Sequence, residues 1–154
     1  MTKKKWVILP ALLLVIQVFR PERANPETAS DLALGGSGAP QQVHRILESA
    51  CFGCHSNQTV WPWYSTVAPV SWLIADDVKR GRRELNFSEW ERYDAGEKAH
   101  LLKEVGEVVR EGEMPPWTYR LLHSEARLSE ADVAALAKWA EQQRQKLTAT
   151  TVTR

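Results

Sequence analysis

Cys51 and Cys54 are the only two cysteines of this 154-residue chain, and His55 follows them directly. Thiols at this spacing sit on adjacent turns, and a Cys-x-x-Cys-His run is the attachment signature of c-type haem. Each thiol would form a thioether with one vinyl group on the same porphyrin edge. The imidazole that follows would then lie under the iron. The spacing therefore predicts one covalently attached haem c, with Cys51 and Cys54 as anchors and His55 as proximal ligand. Three other uses of the pair stand beside this one. A structural disulfide suits an exported protein. A redox-active pair would need a βαβ setting, which the chain does not show. A zinc site needs four ligands, and no second Cys or His pair follows at close spacing.

The iron of an electron carrier takes a sixth ligand, usually Met or His. Met114 is the one methionine after the initiator, and Pro115 and Pro116 follow it. Two prolines stiffen an extended loop, which suits a thioether held at an iron. The plainer reading of Met114 is a core gap-filler. Its Glu113-Met114-Pro115-Pro116 setting is a loop, not a helical stripe, so metal ligation by His55 and Met114 is expected. His44, His100 and His123 are rivals. His44 is too close to the cysteines to reach the opposite face. His100 lies on a polar helix side, and His123 sits on a short loop from which it could swing in. Glu113 reads as a surface carboxylate, and no nucleophile or general base is assembled. The expected role is electron transfer, without a catalytic site. The alternative is a haem-based peroxidase or a gas or redox sensor with a labile sixth ligand.

The elements that must position these residues read as helices. No segment alternates cleanly with period two, so the class is all-α. Val43, Ile46, Leu47, Ala50 and Cys54 follow helical spacing and lead into the cysteines. Pro69 opens a second helix with Val70, Leu73, Ile74 and Val78 inward, and Gly81 is its expected stop. Leu101, Leu102, Val105, Val108 and Val109 mark a third helix ending at Gly112. Ser88 with Glu91 and Ser129 with Asp132 are capping-box patterns. The last helix runs from near Ser129 to about Lys146. Trp61, Trp63, Tyr64, Trp72 and Trp117 are expected to wall a haem crevice. One indole N–H, or an arginine of the 79–83 run, is a candidate partner for a haem propionate.

Residues 1–20 read as a signal-anchor or a cleaved signal peptide. Lys3, Lys4 and Lys5 precede an apolar run from Trp6 to Phe19, and no small-x-small cleavage site follows. The lysines predict a cytoplasmic N-terminus with the rest exported to the periplasmic side. Residues 21–40 read as a flexible linker, with Pro21, Pro26, Pro40 and Gly35-Gly36-Ser37-Gly38. The domain proper is expected at 41–147, with a tail at 148–154. Twenty basic and 19 acidic side chains give a net charge of +1, which argues against a nucleic-acid partner. Redox partner proteins and the membrane are the expected partners.

Cys51-Phe52-Gly53-Cys54-His55-Ser56-Asn57, Trp61-Pro62-Trp63-Tyr64-Ser65 and Ala68-Pro69-Val70-Ser71-Trp72-Leu73 together resemble the bacterial haem-binding domain family. These are monohaem, cytochrome c-like proteins. The resemblance continues through Asn86-Phe87-Ser88-Glu89-Trp90 and Met114-Pro115-Pro116. Ile16-Gln17-Val18-Phe19-Arg20-Pro21-Glu22 looks like that family's membrane-anchor exit. The resemblance implies a cytochrome c-like helical fold wrapped around one covalent haem, its first and last helices packed across each other, and membrane tethering. It carries over Cys51, Cys54 and His55 directly, and Met114 with them.

Overall fold

The structure, a computed structural model, describes residues 5–29, 33–34 and 39–152. Lys3, Lys4, the 35–38 glycine stretch and residues 153–154 lie outside the described residues. The described chain is helical and contains no strand, as the absence of period-two patterning predicts. Seven α-helices occur among the described residues: α1 (Lys5–Ile16), α2 (Gln41–Ala50), α3 (Phe52–His55), α4 (Val70–Glu84), α5 (Ala95–Arg110), α6 (Trp117–Leu122) and α7 (Glu130–Val152).

The core lies where α5 and α7 pack along each other and α2 packs on α7. Val43, Ile46 and Leu47 of α2 meet Leu102 and Val109 of α5 and Leu136, Ala137, Trp139 and Ala140 of α7. The first and last helices of the domain are thus in contact, as the family resemblance implied. Leu136 is completely buried. Leu136→Ala is expected to cost about 3 kcal/mol, the removed methyl groups plus the cavity they leave. A denaturant midpoint that moved by less than its error would show that the core collapses around the gap.

Several boundaries differ from the sequence expectations, each for a local reason. Gly81 does not end α4, which continues to Glu84. It is buried in the last turn of the helix, where α3 passes against it. Ser88 caps no α-helix. It lies in a 3-10 turn, Phe87–Arg92, whose N-cap is Asn86. The capping box of α5 is built by Asp94 and Glu97, each carboxylate accepting the other's backbone N–H at 2.8 Å. The Ser129–Asp132 pattern does form reciprocal bonds at the start of α7. That helix runs on to Val152, through the segment read as a tail. Helix α6, opened by Pro116, was not foreseen.

Residues 21–29 form neither helix nor strand, and side chains fasten them to the domain. Arg82 of α4 donates to the carbonyls of Ala24 and Ser56 and to the side-chain oxygens of Asn25 and Thr59, at 2.7–2.9 Å. Asn25 donates to the Thr59 carbonyl at 2.9 Å, and Asn57 to the Thr28 hydroxyl at 2.7 Å. Four acceptors match the planar guanidinium fork. Arg82 is therefore a clamp with four of its five N–H donors engaged, while Arg80 is paired with Asp76. Leu34, farther along the same arm, is buried in the core.

Helix α1 is apolar on every side, with Ile8, Leu9, Leu12 and Leu14 exposed. Twelve residues span about 18 Å at ~1.5 Å each. No helix among the described residues is long and apolar enough to cross a membrane.

Candidate functional site

The site grows from the junction of α2 and α3. Helix α2 ends at Ala50, Cys51 breaks the helical geometry, and α3 is a single turn that carries Cys54 and His55. The two intervening residues have distinct jobs. Phe52 turns inward and packs on Phe87 at 5.4 Å between ring centroids, and Phe87 stacks on Trp90. This aromatic run ties the attachment motif to the core. Gly53 leaves room for Tyr119, whose hydroxyl lies 2.9 Å from where a Cβ would stand.

Helix α4 closes the motif from another side. A Cβ on Gly81 would sit 2.7 Å from the Cys54 carbonyl oxygen, so only glycine permits this approach. The approach sets His55. The backbone after Gly81 brings the Leu85 carbonyl to 3.0 Å from His55 Nδ1. A carbonyl can only accept, so Nδ1 carries the proton and Nε2 keeps its lone pair. Metal-ligating histidines are commonly held by this kind of backbone contact. Burial also lowers the His55 pKa, against the opposing pull of Leu85, and so favours the neutral, ligating ring.

A buried polar cluster holds the two segments in register. Asn86 donates to the Asn57 side-chain oxygen at 2.9 Å. Ser88 Oγ accepts from the Asn57 backbone at 2.9 Å, and the Tyr93 hydroxyl accepts from the Asn86 backbone at 2.9 Å. Asn57 is two residues after His55 and Asn86 follows Leu85, so the network fixes the histidine against its acceptor. Sequence reasoning missed these roles of Leu85, Asn86 and Ser88. The clustering of buried-type positions around polar Asn and Ser in Asn86-Phe87-Ser88 was the only available hint.

Both cysteines are unbonded. Burial first, and Cys54 second, push the Cys51 thiol up to about 12. Burial and then Asp77 push Cys54 up to about 11. Reactive exchange pairs have depressed thiol pKa values, so this environment speaks against a thiol–disulfide exchange site. No group of three or more metal-ligating side chains occurs among the described residues. The residues do fit a haem. The two thiols are unbonded, the imidazole beside them keeps one unprotonated nitrogen, and the buried Trp61 Nε1 has no hydrogen-bond partner.

Met114 stands in the loop that follows α5. That helix ends in a Schellman motif: Gly112 has φ +73°, and Glu113 N–H and Gly112 N–H bond to the Val108 and Val109 carbonyls at 3.0 and 3.3 Å. Met114 N–H is also held by Val108, and its side chain is 39 % exposed. Its loop is thus fixed at the root while the thioether is free of the core. His44 and His100 each face a glutamate on their own helix surface. His123 is different. Its Nδ1 lies 3.0 Å from Glu125, and Nε2 accepts from the Tyr64 hydroxyl at 2.6 Å. Tyr119 stacks on the ring at 4.0 Å. Burial, and then the charge of Cys54, push the Tyr119 phenol up to about 12. For His123 to serve as a ligand, its Nε2 would have to leave Tyr64.

No characterised protein and no solved structure matches the chain. The haem-binding domain family matches residues 11–142, from the apolar N-terminal run to the middle of α7. That span contains both thiols, the histidine with its acceptor, and Met114, and the chain belongs to the haem-binding domain family.

Proposed function

We propose that this haem-binding protein is a monohaem c-type cytochrome that transfers electrons on the periplasmic side of a membrane. The observation that carries the reading is His55, its Nδ1 committed to Leu85 and its Nε2 therefore left unprotonated, directly after the second of two unbonded thiols. Cys51 and Cys54 anchor the haem covalently. His55 would hold the haem iron through its imidazole nitrogen and Met114 through its thioether. When bound, the haem supplies a one-electron iron couple whose potential a Met/His ligand pair raises. The chain's own contribution is rigidity. The Gly81 contact, the Leu85 acceptor and the Asn57–Asn86 network hold the histidine, and the Schellman turn holds the Met114 loop. The apolar α1 anchors the protein in the membrane, and redox partner proteins exchange electrons with it.

A second reading, a peroxidase or sensor with a labile sixth position, draws on the Tyr64–His123–Glu125 chain, a proton path that simple electron transfer does not need. One comparison separates the two. In Met114→Ala the haem is expected to stay attached while the oxidised protein loses the red thioether–iron band and the reduced protein gains carbon-monoxide binding. An unchanged spectrum would remove Met114 from the iron. A wild type that already binds carbon monoxide would favour the sensor or peroxidase.

A further inference from the structure

The described part of the expected linker, residues 21–29, does not hang free, and the fastening begins at the end of α1. Gln17 makes two bonds with one residue of the domain: its Nε2 donates to the Ala68 carbonyl at 3.0 Å, and its Oε1 accepts the Ala68 N–H at 2.9 Å. Two residues on, the Phe19 carbonyl accepts from Trp72 Nε1 at 2.6 Å. Arg23 reaches the Ser65 hydroxyl at 3.4 Å, and the Arg82 clamp and Thr28 continue the row. These contacts join the exit of α1 to the N-terminal end of α4 and the turn before it.

That end of the domain is apolar and uncovered. Val18 is 78 % and Leu73 65 % exposed, and Val67, Val70 and Phe19 are exposed beside them. Scattered apolar residues on a surface are ordinary, but a contiguous patch marks an interaction site. This patch continues directly into the apolar surface of α1. It carries an exposed tryptophan, Trp72, a residue that favours the membrane–water interface. Arg20 and Arg23 stand at the same exit, suited to anionic headgroups. Helix α1 alone, about 18 Å long, falls short of a hydrocarbon core of ~30 Å. A short span draws flanking apolar groups toward the bilayer.

We infer that residues 17–28 strap the domain to α1, and that the end face of Val18, Phe19, Val67, Val70, Trp72 and Leu73 rests in the lipid interface of the bilayer. This rests on the membrane-anchored reading above. It fixes the attachment site relative to the membrane. Gly81, the residue against Cys54, is eleven positions along α4 from Val70. Leu73 is eight positions away, so at ~1.5 Å per residue Gly81 stands about 12–16 Å along α4 from those residues. The protein would then exchange electrons with a partner at a set height above the lipid and would not sweep a volume on a tether.

The test uses the full, haem-loaded chain reconstituted into phosphatidylethanolamine–phosphatidylglycerol vesicles. A benzophenone side chain replaces Leu73 in one sample and Glu107, on α5, in another, and a far-ultraviolet spectrum matching the unsubstituted chain confirms that each is folded. Flotation is scored first, then photo-adducts. The chain is expected to float, with lipid-adduct yield about tenfold higher at position 73 than at 107, since an interfacial face reaches only ~5–10 Å into the headgroup–acyl boundary. Floating vesicles with equal yields, or none, would mean a swinging domain and overturn the seating alone. Adducts between two protein copies at position 73 would overturn it in favour of self-association. A chain that does not float removes the anchor and the seating with it.

Discussion

Replacing both Cys51 and Cys54 with alanine is expected to abolish haem on the denatured chain. A folded c-type site keeps its haem through denaturation because two thioethers hold it. Without them only axial bonds remain, and these are lost with the fold. The surroundings of the two thiols make the loss specific to attachment. Both are half-buried and unbonded, and burial keeps them protonated, so no disulfide is removed and no charge is exposed. The side chains lost are small, so the helical core of α2, α5 and α7 is expected to persist. The measurement is in-gel haem staining of the purified double variant beside its far-ultraviolet spectrum. Single variants are expected to keep one linkage and a weaker stain. A double variant that still stained would sink covalent attachment while leaving haem binding itself intact. Any lost ligand stabilisation follows mass action: a ligand at a hundred times its dissociation constant contributes about 2.7 kcal/mol to the folded state.

Gly81→Ala carries the second large effect, and its sign is not the usual one for a helix. Glycine inside a helix costs ~1 kcal/mol relative to alanine, so the substitution would stabilise an open position. Here the new Cβ would meet the Cys54 carbonyl oxygen at 2.7 Å, its carbon at 3.0 Å and its Cβ at 3.1 Å. Two of these atoms are backbone and have no rotamer to escape into. Overpacking of this kind costs about 1–3 kcal/mol, which outweighs the helical gain. The expected result is a net loss of up to about 2 kcal/mol of unfolding free energy, read from a lowered denaturant midpoint, with less haem incorporated per chain, because the Leu85 carbonyl that orients His55 moves with α4. Gly106→Ala is the internal control. Its nearest neighbour is the end of the Arg110 guanidinium at 3.2 Å, which can swing aside. That variant is expected to be neutral or stabilised and to load haem normally. If both variants behaved alike, the α3–α4 contact would have no part in building the site.

The sequence alone made the chemistry legible. Cys51, Cys54 and His55 fall within five consecutive residues, and the chemistry expected of them, two thioethers and an imidazole ligand, is read from that spacing. Helical class was legible too, because apolar residues at three- and four-residue intervals bury a stripe whatever the partner is. The end of α5 at Gly112 followed from glycine's access to positive φ. Failures clustered where a residue answers to something distant along the chain. Gly81 has the signature of a helix stop, but its role is a close approach to Cys54, and nothing local records that neighbour. Ser88 has the signature of a cap, yet its hydroxyl is engaged by the Asn57 backbone, 31 positions away.

The remaining site residues belong to tertiary structure for the same reason. The acceptor for His55 is a backbone carbonyl, which every residue type offers equally, so no sequence pattern could single out Leu85. Tyr64, His123 and Glu125 meet through a hydrogen bond spanning 59 positions. Asn25, Thr28 and Arg82 fix an arm whose prolines by themselves describe only a loose extended chain. Residue type set what each group can donate, accept or ligate. The packing of α3 against α4 decided which partner it received, because a hydrogen bond of about 3 Å selects by position in space and not by distance along the chain.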